Sequence, residues 1–116
     1  MNTPSIPASY VAGRVTLEAG KVENLLELIQ KQLAANCPGS ATELSLWAGA
    51  GNTGSISVGA VSFIGGPLTS TNCAYRLTPS SAPRVYRSTF PGNSTPLGEL
   101  QVLATSAAVL HVEVQA

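Results

Sequence analysis

Apolar and polar side chains alternate with period two along most of this chain, most clearly in residues 96–116, PLGELQVLATSAAVLHVEVQA. Leu100, Val102 and Ala104 alternate with Glu99, Gln101 and Leu103, and then Ala108, Leu110, Val112 and Val114 alternate with Val109, His111, Glu113 and Gln115. Such a run sends successive side chains to opposite faces, so each half predicts a strand with one face on a core. The small residues between them predict a hairpin turn. A lone pair of strands buries too little to stand in water, so other strands must supply the facing wall. Residues 10–17 predict a first strand with Val11, Val15 and Leu17 inward. Residues 43–48 put Leu44, Leu46 and Ala48 on one face with Trp47 opposite, and residues 55–60 resume the alternation through Ile56 and Val58. The glycine-rich turn around Asn52 predicts that these two runs form a second hairpin. Residues 61–64 read as a strand continuing past a kink at Gly59, and residues 73–77 and 84–88 add two short strands.

Only residues 21–36 change period. Val22, Leu25, Leu26, Ile29 and Leu33 form a helical stripe for packing on a sheet, and Asn36, Pro38 and Gly39 end it. Leu28 lies off that stripe and is open to two readings, a widened core face or a contact with another subunit. The expected architecture is mainly β: a single-domain β-sandwich or barrel-like sandwich over residues 10–116, with one N-terminal amphipathic helix. Before it, residues 1–9 carry Pro4 and Pro7 without periodicity and read as an extended arm that lies on a neighbouring chain in an assembly and is disordered in an isolated monomer.

Charge sharpens this picture. Charged residues make up 10% of the chain, against about 25% in ordinary globular domains, and six basic residues balance six acidic ones. A surface so weakly charged loses little when a partner covers it, which favours self-association and contact with other proteins. The balance lacks the basic field that nucleic acid requires; Arg76, Arg84 and Arg87 stand close in sequence and read as a solvated face or as partners of nearby glutamates, a local positive patch being the alternative. No segment has the length of a membrane span. The cysteines, Cys37 and Cys73, read as buried free thiols, a single bridge being the alternative. Catalytic chemistry has few parts to draw on: there is no aspartate and His111 is the one histidine. A relay through His111 would need Glu99 or Glu113, and His111 and Glu113 belong to an outward strand face. No metal site or cofactor is expected. Trp47, Tyr75, Tyr86 and Phe90 are core aromatics or, on the alternative reading, a sugar platform built on Trp47 and Tyr86.

The order of pieces resembles a known group. A strand ending in TLEAG, a leucine-rich VENLLELIQKQL helix, a Cys-Pro-Gly break, the AGAGNTGSISVG turn and a closing PLGELQVLA…VLHVEV pair are similar to small virion proteins from the structural modules of tailed bacteriophages. The resemblance runs over about residues 11–114. It implies a non-enzymatic virion structural protein, a capsid decoration or cement protein located in the particle and bound to the major capsid protein, other virion proteins and its own copies. A tail, fibre or head-to-tail connector component, including a carbohydrate-binding module for host attachment, is the alternative. Pro4, Pro7, Leu28, Trp47, Arg76, Arg84 and Arg87 are the candidate interface residues.

Overall fold

The inward halves of the alternating runs meet as two walls of one core. A computed structural model describes residues 9–87 and 94–116. Among the described residues ten strands run in chain order: β1 (Tyr10–Leu17), β2 (Val22–Asn24), β3 (Ser40–Ala41), β4 (Glu43–Ala48), β5 (Ile56–Ala60), β6 (Tyr75–Leu77), β7 (Arg84–Arg87), β8 (Thr95–Pro96), β9 (Leu100–Ala104) and β10 (Ala108–Gln115). Helix α1 (Leu25–Gln32) follows β2, and a single helical turn, α2 (Val61–Ile64), follows β5. One sheet has the order β1-β10-β4-β7, the second β2-β9-β5-β6, and β3 with β8 forms a separate short ribbon. Every pair is antiparallel.

The eight principal strands form a jelly roll. The first half of the chain pairs with the second, β1 with β10, β2 with β9, β4 with β7 and β5 with β6. This long double ribbon is rolled up so that β10 also joins β4 and β9 also joins β5. The mainly β sandwich expected from the sequence is therefore present, but neither expected hairpin is. β9 and β10 lie in different sheets, as do β4 and β5, and residues 105–107 and 49–55 arch from one sheet to the other. The physical reason is that alternation fixes which residues face the core and leaves open which sheet they reach it from. Leu100, Val102 and Ala104 face Leu110, Val112 and Val114 across the core, all buried. The two arches sit side by side: Thr105 N–H donates to the Ser55 carbonyl at 3.0 Å, and Ser55 N–H to Thr105 Oγ1 at 3.0 Å.

The helix is shorter than the expected 21–36. Asn24 takes extended backbone angles, and its side-chain oxygen accepts from the Glu27 N–H at 3.1 Å. That N-cap starts the helix at Leu25, so Val22 joins β2, pairs with Leu103 and is 41% exposed. The Asn24 amide also donates to the Gly98 carbonyl at 2.6 Å, tying the helix start to the turn before β9. Leu25, Leu28 and Ile29 form the buried face. Leu28, a candidate for contact with another subunit, is 4% exposed and belongs to the core, which removes its side chain from the accessible surface.

Helix α1 closes the β1/β2 side of the sandwich. Leu33, just past its end, lies so close to β1 that a Cβ at Gly13 would stand 2.7 Å from Leu33 Cδ2. Gln32 then blocks the outer edge of β1: Thr16 N–H donates to Gln32 Oε1 at 2.8 Å, and Gln32 Nε2 donates to the Thr16 carbonyl at 3.0 Å. A side-chain amide thus stands in for the next strand. Unpaired edges invite pairing with other chains, so Gln32→Ala is expected to lower stability by about 1 kcal/mol and to speed aggregation. Urea unfolding and light scattering on warming measure the two effects.

The stretch expected as a strand at residues 61–64 turns instead as α2 and folds back over the outer face of β5. Gly59 permits this approach, since a Cβ there would lie 3.2 Å from Ile64 Cγ2 and 3.3 Å from both Leu68 Cδ1 and the Ala74 nitrogen. Leu68 is buried under this excursion. Cys37 and Cys73 are both free thiols; Cys37 is buried as expected and Cys73 is half-exposed.

Candidate functional site

With α1 across the β1/β2 side, the β7/β6 side carries only the single turn α2 as helical cover among the described residues, and its mouth is built by alternation in two short strands. On β7, Arg84 and Tyr86 pair with the inward Leu46 and Leu44 and so share their face of the sheet, while Val85 and Arg87 point out. On β6, Tyr75 pairs with the inward Val58. The Tyr75 and Tyr86 hydroxyls are hydrogen-bonded at 2.5 Å, and the Arg84 guanidinium lies over the Tyr75 ring, 4.7 Å from its centroid. Each phenol thereby gains a partner at a place where an unpaired one would be costly.

Outside these tyrosines lies a groove of about 380 Å³ lined by Ala60, Phe63, Tyr75, Arg84, Tyr86, Glu99 and Leu100 among others. Its lining is mostly apolar. Phe63, on α2, stands at this mouth with 85% of its surface exposed. Arg84 and Glu99 bring one charge of each sign, and neither has an ion-pair partner among the described residues.

Burial pushes the Tyr75 phenol well above its ordinary range, helped by its bond to Tyr86 and opposed by Arg84. Burial likewise raises Tyr86, against the opposing effects of the Tyr75 bond and the Arg84 charge. Both shifts favour the neutral phenol in the folded state. Their stabilising effect is complete below the unfolded tyrosine value of about 10 and is lost as pH rises beyond it toward the folded values. We expect stability to fall above about pH 10, with the tyrosinate absorbance of this pair emerging together with loss of the β-sheet circular dichroism signal.

The second surface is the outer face of the β1-β10-β4-β7 sheet. Register places Arg14 beside His111 and His111 beside Trp47. The His111 and Trp47 rings stack, with centroids 5.2 Å apart and planes 3° apart. A shallow depression of about 450 Å³ adjoins this row, lined by Arg14, His111, Val109 and the loop around Asn52.

The candidate residues are scattered over these surfaces. Pro4 and Pro7 lie outside the described residues, as does Phe90. Trp47 is on the outer face described above, whereas Tyr86 points to the inward side of the same sheet, so they do not form one aromatic platform. Arg76, Arg84 and Arg87 do not form one positive patch. Arg76 pairs with Ser57 on the outer face of the other sheet, Arg84 lies over Tyr75 in the groove, and Arg87 reaches Glu43 at 3.7 Å on the outer face of its own sheet. Alternation alone separates Arg84 from Arg87, three positions apart. Glu99, opposite in the alternation to the inward Leu100, lies in this groove and not beside His111, whereas Phe63 is a surface feature that the sequence reading does not single out. The signal for Phe63 lay in VSFIGGP, where Val61 and Ile64 are three apart and Gly65-Gly66-Pro67 stops the turn.

Among the described residues no three histidine, cysteine or acidic side chains gather as metal ligands, and no helix is long and apolar enough to cross a membrane. No protein-family model, no curated protein sequence and no solved structure matches this chain.

Proposed function

We propose that this chain is a non-enzymatic structural protein of a tailed-bacteriophage particle, a decoration or cement protein seated on the head lattice against the major capsid protein and its own copies. The observation that carries this reading is the jelly-roll strand order, an architecture used by viral capsid and lectin domains. The order of sequence pieces described above adds to it, and so do a surface with few charges and an apolar mouth at Phe63, Tyr75 and Tyr86 that is open among the described residues. The mechanism is mechanical. Contact area buried across a junction between shell subunits must be exposed again before they separate, and many copies compound contacts that are individually modest.

Purified protein mixed with particles lacking it tests the proposal. Co-sedimentation at hundreds of copies per head, together with a raised temperature of genome release, is the expected result. Absence from the shell, or a handful of copies at one vertex or in the tail, overturns the decoration role.

A second reading, a carbohydrate-binding module in a fibre, draws on the depression beside the Trp47–His111 stack. Glycan binding that disappears in Trp47→Ala with the fold retained would favour it over the first.

A further inference from the structure

We infer that the open β7/β6 side is the contact surface of a two-fold pair of this chain, with Phe63 of each copy seated in the groove of the other. It rests on the contact between copies in the virion reading and names the surface through which two of them meet.

A two-fold contact brings one patch against itself, so that patch must carry both halves of every complementary feature. This one does. Phe63 is a large apolar side chain, 85% exposed, on the rim of a groove of about 380 Å³ that it lines together with Tyr75, Tyr86 and Leu100. That volume lies within the range of about 300–1,000 Å³ typical of pockets that enclose a ligand group. Protrusion and hole stand on the same side of one molecule, as a reciprocal exchange requires.

Charge supplies the independent argument. Arg84 and Glu99 line the same groove, carry opposite signs and lack ion-pair partners among the described residues. A two-fold axis passing between Arg84 and Glu99 brings Arg84 of one copy to Glu99 of the other, twice over. A partner protein with a wholly acidic or wholly basic surface would meet repulsion from one of them. The flanking strands favour a protein partner as well. β6 and β7 are the last strands of their sheets, and Val85 on β7 is 41% exposed without a charged neighbour across the pairing, since it faces Ser45.

Sedimentation equilibrium of the full chain over a dilution series tests this. The expected result is a monomer–dimer equilibrium that Phe63→Glu weakens by about thirty-fold or more, the size of effect that removing a central aromatic anchor produces. Phe63→Ser is expected to act in the same direction. Because Phe63 is so exposed, the unfolding midpoints of both variants should match that of the parent chain at dilutions where the parent is monomeric. Arg84→Glu alone and Glu99→Arg alone should each weaken association, and the double reversal should restore it.

A chain that stays monomeric at its highest soluble concentration overturns the proposal, and so does association that ignores Phe63 and fails to respond to the charge reversal. A monomer that loses binding to particles in Phe63→Glu would assign the groove to the shell and likewise overturn the pair. A monomer that decorates particles normally defeats the pair and leaves the virion reading intact; a dimer that ignores particles does the reverse.

Discussion

Leu110→Ala is expected to destabilise the domain by about 3–4 kcal/mol, a large share of the roughly 5–15 kcal/mol that holds a domain of this kind together. Leu110 is fully buried near the middle of β10. It pairs with Val15 on one side and Ala48 on the other, so the backbone around it is held by two strands and cannot collapse into the space left by the lost side chain. The facing wall, including Ile56, Val102 and Ala104, is equally buried. The truncation therefore leaves a cavity, and the cost includes it. One residue earlier, Val109 points to the outer face and is half-buried. Val109→Ala should cost less than about 1 kcal/mol. Urea unfolding of both variants, with unchanged slopes, measures the contrast. Equal losses at the two positions would contradict the inward and outward assignment of β10.

That assignment was readable from the sequence, and what it leaves out explains the points where expectation and structure part. Strands β1 and β4 occupy the residues their alternation marks, Tyr10–Leu17 and Glu43–Ala48. Alternation carries one bit of information per residue, core or solvent. A tight hairpin and an arch between facing sheets satisfy that bit equally, because in both the same side chains meet the same core. Nothing in residues 105–107 separates the two, and the choice is made by β1 and β4 pairing on both flanks of β10, some hundred and some sixty residues away in the chain. The helix start was legible and was passed over: Asn24 followed three residues later by Glu27 is an N-cap signal, and reading it would have moved Leu28 into the core, since Leu25, Leu28 and Ile29 are spaced to share one face. The groove was not legible. It depends on α2 folding back over β5 and on two tyrosines eleven residues apart, on strands of different sheets, meeting across the sheet ends, contacts that the alternation does not encode.

The same long-range logic gives Asn52 a weight out of proportion to its place in a loop. The amide of Asn52 grips β10 through both backbone groups of one residue: Nδ2 donates to the Val109 carbonyl at 2.8 Å, and Val109 N–H donates to Oδ1 at 2.9 Å. Gly49 N–H shares that carbonyl at 2.9 Å. Strand β4 ends at Ala48, paired with Leu110, so the side-chain amide supplies the next rung of the ladder after the backbone has turned away into the arch. Asn52→Ala removes both bonds and leaves Val109 N–H, in a partly buried site, without a protein acceptor. About 2 kcal/mol is the expected loss, read as a lowered urea midpoint, with faster hydrogen exchange at Val109 than at Leu110. Asn52→Asp separates the two bonds by pH. An ionised carboxylate can still accept from Val109 N–H, but its other oxygen faces the Val109 carbonyl, acceptor against acceptor. A protonated carboxyl can donate there as the amide does. The folded state therefore favours the neutral acid and raises its pKa above the unfolded aspartate value of about 3.9. The stabilising contribution is then complete below that value and lost as pH rises through the folded pKa. Measured against the parent chain at each pH, the deficit of Asn52→Asp should shrink on acidification toward about pH 4, while that of Asn52→Ala stays constant. A deficit independent of pH in both would mean that the amide does not hold the arch to β10.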